Sequence, residues 1–428
     1  MKLQSRKKIN QLALLFALTY MASYLTRINY GAIISEMENA TAFSRDELSM
    51  AVTGSFITYG VGQIISGILG DRFSPKNLIS LGFVVTILMN VCIPFCQSPY
   101  QMLGFWCMNG FAQSFMWPPL VRLMTNHLTD EDYKQVTTQV SWGSSGGTLL
   151  LYLISPLIIS LFNWKGVFFF SAACGTVMLV IWNIFAKDVP KAPREKLAAT
   201  APDAVPAPKR KISLKGIFLP VTLCAMVSIA LQGMLRDGIT TWMPTFIDDT
   251  YNLGSAISIL TGVILPIFSV LCIQFTSRLY RRKFRNPLSC SGIIFAVGTA
   301  SAFMLYLFNG RSAVLSVLFS ALLTGCMHGV NLLLVCMIPA YFRKYNNVST
   351  ASGILNACTY VGSAASTYGI AVLSELIGWD WTVLLWAGIA VVGTSFCFIC
   401  AKPWEKQFMD STEVQDDSEE INEETVNA

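Results

Sequence analysis

Residues 11–34 read QLALLFALTYMASYLTRINYGAII, a stretch whose only formal charge is Arg27. A helix needs about 20 predominantly apolar residues to cross the hydrocarbon core of a bilayer. This stretch is too long for a signal-peptide core and has no small-residue cleavage site after it. It therefore reads as a retained membrane helix behind the basic N-terminus Met1 to Asn10. The pattern recurs along the chain, with apolar segments near 11–34, 49–70, 77–95, 100–124, 138–161, 167–186, 216–247, 254–276, 286–308, 312–338, 350–373 and 381–401. Of the 428 residues, 53% are hydrophobic and 13% charged, where a soluble domain carries roughly 25% charge. A chain this long and this poor in charge cannot clothe itself in a water-soluble surface. A membrane barrel would show ten-residue alternation instead of continuous apolar runs. The expected fold class is an all-α membrane protein of twelve transmembrane helices.

The distribution of charge orders these spans. The N-terminus, the loops after spans 2, 4, 8 and 10, the central linker and the start of the tail together hold 25 of the 30 Lys and Arg residues. The opposite side holds Arg45, Lys165 and Arg311, and the last two, Arg27 and Arg236, lie inside spans. Positive residues mark cytoplasmic loops, so both termini and the linker are expected in the cytoplasm and the protein in a plasma or bacterial inner membrane. The organisation expected is an N-terminal six-helix half (1–186), a Lys/Arg/Ala/Pro-rich linker (187–215), a C-terminal six-helix half (216–401) and an acidic tail (402–428) too polar to pack. The twelve cysteines are scattered singly in apolar runs, and Cys397 and Cys400 form their CxxC within a span. They read as buried, inert thiols, neither a disulfide framework nor a metal site.

The halves look alike. Span 5 carries Trp142-Gly143-Ser144-Ser145-Gly146-Gly147 and leads to Asn163-Trp164-Lys165. Span 11 carries Gly362-Ser363-Ala364-Ala365-Ser366 and leads to Gly378-Trp379-Asp380-Trp381. Small residues let helix backbones approach closely in lipid. Arg27 in span 1 and Arg236 in span 7 form a second matched pair. A charge near the bilayer centre costs at least about 2.5–3.5 kcal/mol, and a guanidinium cannot escape by losing its proton. Its planar fork suits phosphate or carboxylate. The plainer reading is an arginine satisfied by carbonyls or by a nearby acid, and Asp237 stands next to Arg236. Two related halves around one midplane site are what an alternating-access carrier requires.

The turn after span 2, Gly67-Ile68-Leu69-Gly70-Asp71-Arg72-Phe73-Ser74-Pro75-Lys76, resembles the G-x-x-x-D-R-x-x-x-K signature of the major facilitator superfamily, with Ser74 in place of its second glycine. There Gly67 would allow close helix contact. Asp71 would cap a helix end and pair with basic groups across the half-interface, and Arg72 and Lys76 belong to the same conformational latch. Tyr24-Leu25-Thr26-Arg27-Ile28-Asn29-Tyr30, the Gln113-x-x-x-Trp117-Pro118-Pro119 motif and Leu235-Arg236-Asp237-Gly238 through Trp242-Met243-Pro244-Thr245 resemble the organophosphate:phosphate antiporter family. That family includes bacterial glycerol-3-phosphate and hexose-6-phosphate carriers. The resemblance implies a fold of two pseudo-symmetric halves and a phosphate-binding role for Arg27 and Arg236. It departs at Gly143, where the glycerol-3-phosphate carriers have a histidine, and at Gln63, where they have a lysine.

The function implied is secondary transport of a small organic anion, an organophosphate or sugar phosphate exchanged for inorganic phosphate. A carboxylate-type anion, or a transporter-like sensor of sugar phosphate, stands as the alternative. The expected substrate-binding residues are Arg27, Arg236, Tyr24, Tyr30, Tyr59, Gln63, Gln113, Trp117, Trp242, His328 and Asn331. Asn29, Asn109, Gln139 and Asn356 are further polar groups able to line a cavity, and for each of these side chains helix packing is an equal reading. His328 and Asp237 are the titratable groups within spans. No nucleotide loop, metal cluster or nucleophilic triad is found, so neither an enzyme, a cofactor, a metal nor a nucleic-acid partner is expected. A monomer in the lipid bilayer is.

Overall fold

The computed structural model describes residues 5–188, 219–253, 261–345 and 347–409. Residues 189–215 of the expected linker and 410–428 of the expected tail lie outside the described residues. The elements are helices: α1 (Arg6–Leu25), α2 (Asn29–Ala32), α3 (Ile34–Ala40), α4 (Arg45–Arg72), α5 (Pro75–Cys92), α6 (Pro99–Gln113), α7 (Trp117–His127) and α8 (Asp130–Phe185) in the first half. In the second half they are α9 (Pro220–Tyr251), α10 (Ile264–Lys283), α11 (Pro287–Phe308), α12 (Ala313–Asn331) and α13 (Val348–Trp404).

Several boundaries differ from the sequence reading for identifiable reasons. Helix α4 starts before the expected span because Ser44 and Glu47 form a capping box, and it runs on through Asp71 and Arg72. The chain turns only at Phe73 and Ser74, and the Ser74 hydroxyl caps α5 with Pro75 at its first position. Spans 5 and 6 are one long helix, α8, broken by Asn163 at φ 56°, and spans 11 and 12 are α13, broken by Gly378 at φ 78°. These are the two matched positions that the sequence marks with Asn-Trp and Gly-Trp. Residues 402–409 belong to the packed structure and not to a polar tail. Trp404 and Phe408 are buried and stack at 4.3 Å, and Phe408 lies 5.4 Å from Phe342.

Within each half the small-residue stretch performs the same task. A Cβ at Gly143 would stand 2.3 Å from the Ala17 carbonyl oxygen, so α8 lies directly against the backbone of α1. A Cβ at Gly362 would stand 1.9 Å from the Ala230 carbonyl oxygen, which sets α13 equally close to α9. In lipid such contact replaces the hydrophobic effect as the force between helices. It also gives a physical reason for the departure at Gly143, because no histidine fits where even a methyl group meets backbone.

The halves meet through α4 against α13 and α8 against α10. A Cβ at Gly353 would come 2.2 Å from the Gln63 carbonyl oxygen, and one at Gly67 2.7 Å from that of Ser349. Outward faces are apolar: Leu81, Val84 and Leu88 on α5, Val177, Val180 and Ile184 on α8, and Leu271 and Phe275 on α10 are all exposed. Such continuous apolar faces are stable only in lipid. All twelve cysteines are free thiols.

Candidate functional site

The first span breaks at the residue that carries its charge. Helix α1 ends at Leu25 and α2 begins at Asn29, so Thr26, Arg27 and Ile28 stand between them. A broken helix leaves carbonyls unpaired, and in a membrane protein each needs a partner. The Thr26 carbonyl receives Nδ2 of Asn90 at 3.0 Å and Nδ2 of Asn109 at 3.2 Å, while Gln113 Nε2 donates to Thr26 Oγ1 at 2.8 Å. Asn29 Nδ2 donates to Asn90 Oδ1 at 2.7 Å and closes the network. Four buried amides from α2, α5 and α6 thus fix the break from behind and present Arg27 to the midline.

Arg27 is caged by tyrosines. Its guanidinium carbon lies 4.2 Å from the ring centre of Tyr24 and 4.7 Å from that of Tyr59, within the range of cation–π attraction. Nη1 donates to the hydroxyl of Tyr360 from the other half at 3.4 Å, and the Tyr59 and Tyr360 rings meet at 4.5 Å. Among the described residues Arg27 faces no carboxylate.

Arg236 is held differently. Nε and Nη2 grip the two carboxylate oxygens of Asp237 at 2.7 and 2.9 Å, and Nη1 donates to Asn331 Oδ1 at 3.1 Å. The Ser363 hydroxyl donates to the same carboxylate. Asn331 is the last residue of α12, after which the chain changes to a π-helical turn (Leu332–Met337) and a 3₁₀ segment (Ile338–Tyr345). Such irregular turns are frequent at functional sites. Tyr24 and Tyr360 lie within electrostatic reach of both arginines and join the two environments.

Between them lies a cleft of about 30 Å³, room for a water molecule or two and smaller than a phosphate ester. Of the residues expected to bind substrate, Tyr24, Trp117, Arg236, His328 and Asn331 line it, and Arg27 and Tyr59 border it through Tyr24 and Tyr360. The others are elsewhere. Tyr30 is fully buried between Trp106 and Phe168, at 5.1 and 5.9 Å, because the break in the first span turns it away from Arg27. Gln113 is part of the amide network behind Arg27. Gln63 is buried, and its Oε1 accepts from Asn356 Nδ2 across the half-interface at 3.0 Å. Trp242 is partly buried and packs against the apolar core that runs through both halves. Tyr20, Ser141, Ser144 and Tyr360 line or border the cleft without having been singled out from sequence. Tyr20 could have been found one helical turn before Tyr24.

On the side rich in Lys and Arg direct contacts join the two halves. Asp71 accepts from the backbone N–H groups of Ser349 at 3.1 Å and Thr350 at 2.7 Å, the first turn of α13. Asn347 supplies no side-chain cap there, so the cap comes from the other half. Arg343 pairs with Asp130 at 2.6 Å, Thr138 meets Ser277 at 2.7 Å, and the Tyr133 hydroxyl donates to the Cys336 carbonyl. Arg72 is exposed, Lys76 donates to the Asn183 carbonyl of its own half at 2.8 Å, and Asp71 crosses the interface to backbone N–H groups in place of the basic groups expected. Arg122, missed in the sequence, donates to the Gly70 and Phe73 carbonyls and steadies the end of α4.

Residues 16–335 match the model of the Major Facilitator Superfamily. The glycerol-3-phosphate transporter of Bacillus subtilis is 23% identical over 81% of this chain and 81% of its own length. A probable hexose phosphate transport protein of Chlamydia muridarum is 20% identical over 84% of each. The membrane sensor protein UhpC of Salmonella typhimurium is 22% identical over 85% of each. Among solved structures, the proton:xylose symporter XylE bound to 6-bromo-6-deoxy-D-glucose superposes with a TM-score of 0.71 at 13% identity, over 94% of this chain and 96% of that one.

Proposed function

The chain belongs to the Major Facilitator Superfamily, and from that premise we propose that it carries a small organic anion, an organophosphate by preference, through a membrane by rocking residues 1–186 against 216–401. The observation that carries this reading is Arg27, a part-buried guanidinium that faces tyrosines and no carboxylate among the described residues. An anion entering the cleft can displace these tyrosine contacts, and Arg236 of the opposite half lines the same cleft. An anion bridging both would pull the halves together, and that coupling favours exchange, with inorganic phosphate as counter-substrate. The names of the relatives point to phosphate esters. Both termini and the linker are assigned to the cytoplasm on the distribution of Lys and Arg.

A thermal-shift screen of the purified protein tests the substrate class. Glycerol 3-phosphate or a hexose 6-phosphate is expected to stabilise it, and inorganic phosphate more weakly. Stabilisation by dicarboxylates alone would move the reading to the carboxylate alternative, and stabilisation by neutral sugars alone would end it.

Asp71, in this proposal, latches the state closed on the Lys/Arg-rich side. Removing a helix cap costs about 0.5–2 kcal/mol, so Asp71→Ala is expected to raise the population open on that side several-fold. Spin labels at the ends of α4 and α13 on that side should show a new, longer distance. An unchanged distance distribution would remove Asp71 from the latch.

A further inference from the structure

The two arginines are not equivalent, and the difference lies in Asp237. Of the five N–H groups of Arg236, the paired edge formed by Nε and Nη2 is occupied by Asp237 and one Nη1 donor by Asn331. That edge is one of the two paired edges an arginine offers to a phosphate or carboxylate, and Asn331 holds a donor of the other. The arrangement is built from two helices. Cβ atoms at Gly233 and Gly238 would lie 2.2 Å from the Thr359 carbonyl oxygen and 2.6 Å from Ser366 Oγ. These glycines bring α9 close enough for Ser363 to hold the Asp237 carboxylate from α13. Arg236 on α9, Ser363 on α13 and His328 on α12 face Asp237, while Tyr360 of α13 and Tyr24 of α1 face Arg236.

Building on the anion-carrier reading, we propose that Asp237 is an internal ligand of Arg236 which an entering dianion displaces, and that Asp237 takes up one proton as it is displaced. With Asp237 ionised, the two arginines and this carboxylate carry one net positive charge, which a doubly charged phosphate ester overmatches. A carboxylate pushed off its guanidinium in a water-poor cleft is left without a counter-ion, and such a group takes its proton. The balance is simple: one proton from the side of entry joins the Asp237 carboxylate as the ester joins Arg236. When the ester leaves on the far side, Arg236 recovers Asp237 and the proton departs there. Ester and proton move together.

Calorimetric titration of the detergent-solubilised full chain with glycerol 3-phosphate, in buffers of different ionisation heat, counts the protons taken up. The wild type is expected to take up about one proton more per bound ester than Asp237→Asn, and Asp237→Glu to behave like the wild type. Equal uptake in the wild type and Asp237→Asn would overturn the inference and leave the carrier reading intact. If no phosphate ester binds the wild type, both fall together. A measurement on unaltered protein covers an Asp237→Asn variant that does not fold. Affinity for inorganic sulfate, whose charge is constant from pH 6 to 8, should fall by up to about tenfold per pH unit in the wild type and in His328→Gln. A flat profile would overturn the inference, and a slope lost in His328→Gln would assign the proton to the histidine instead.

Discussion

Arg27→Ala is expected to weaken binding of the transported anion by about 30-fold or more, with little loss of folded protein. Truncating one member of a buried, hydrogen-bonded charge pair costs about 2–5 kcal/mol, and each 1.4 kcal/mol is about tenfold in affinity. Folding should tolerate the change because Arg27 has no carboxylate to orphan among the described residues. The break that holds it is fixed by Asn90, Asn109 and Gln113 through Thr26, and not by the guanidinium. Arg27→Lys should fall between, since an ammonium keeps the charge and loses the planar fork. Thermal stabilisation across a ligand titration measures this, and wild-type affinity in Arg27→Ala would remove the residue from the site. Arg236→Ala should behave differently, because it leaves the part-buried Asp237 carboxylate with no cation and, among the described residues, Ser363 as its hydrogen-bond partner, and so lowers stability as well as binding.

The second large effect concerns the glycines that set the two arginine-bearing spans. Gly362→Ala and Gly143→Ala should each lower the melting temperature and reduce transport together, at a cost of about 1–3 kcal/mol for overpacking. The obstruction in each case is a backbone carbonyl, that of Ala230 or Ala17, which no rotamer change can relieve. The helix carrying Arg236 or Arg27 must move instead. Gly146→Ala is the internal control, since a Cβ there meets nothing nearer than the Met21 sulfur at 4.0 Å. It should be near neutral. If all three variants melt alike, close approach is not what these stretches provide.

What was legible in the sequence follows from which forces act locally. Span positions and the two arginines within spans could be read because hydropathy and the cost of charge in the membrane are properties of the segment itself. The break in the fourth span could have been anticipated from Pro118 and Pro119, which remove backbone donors. The break at Thr26 to Ile28 could not, since no Gly or Pro marks it and the amides that stabilise it come from other spans. That hidden break misplaced Tyr30, which on a continuous helix would share a face with Arg27. In the same way, the offset between α6 and α7 put Gln113 behind the site while Trp117 stayed on it. The acidic neighbour of Arg236 was visible as a candidate partner, but its hold on the paired edge depends on Ser363, 126 residues away.

Exchange across a membrane is the property that most directly separates a carrier from its alternatives. Vesicles reconstituted with the wild-type protein, loaded with inorganic phosphate and diluted into labelled glycerol 3-phosphate or hexose 6-phosphate, should accumulate label, and vesicles bearing Arg27→Ala should not. Label accumulating equally with Arg27→Ala, or a wild type that is stabilised by the ester yet moves none of it, would contradict the account, and the second result would identify a sensor in place of a carrier.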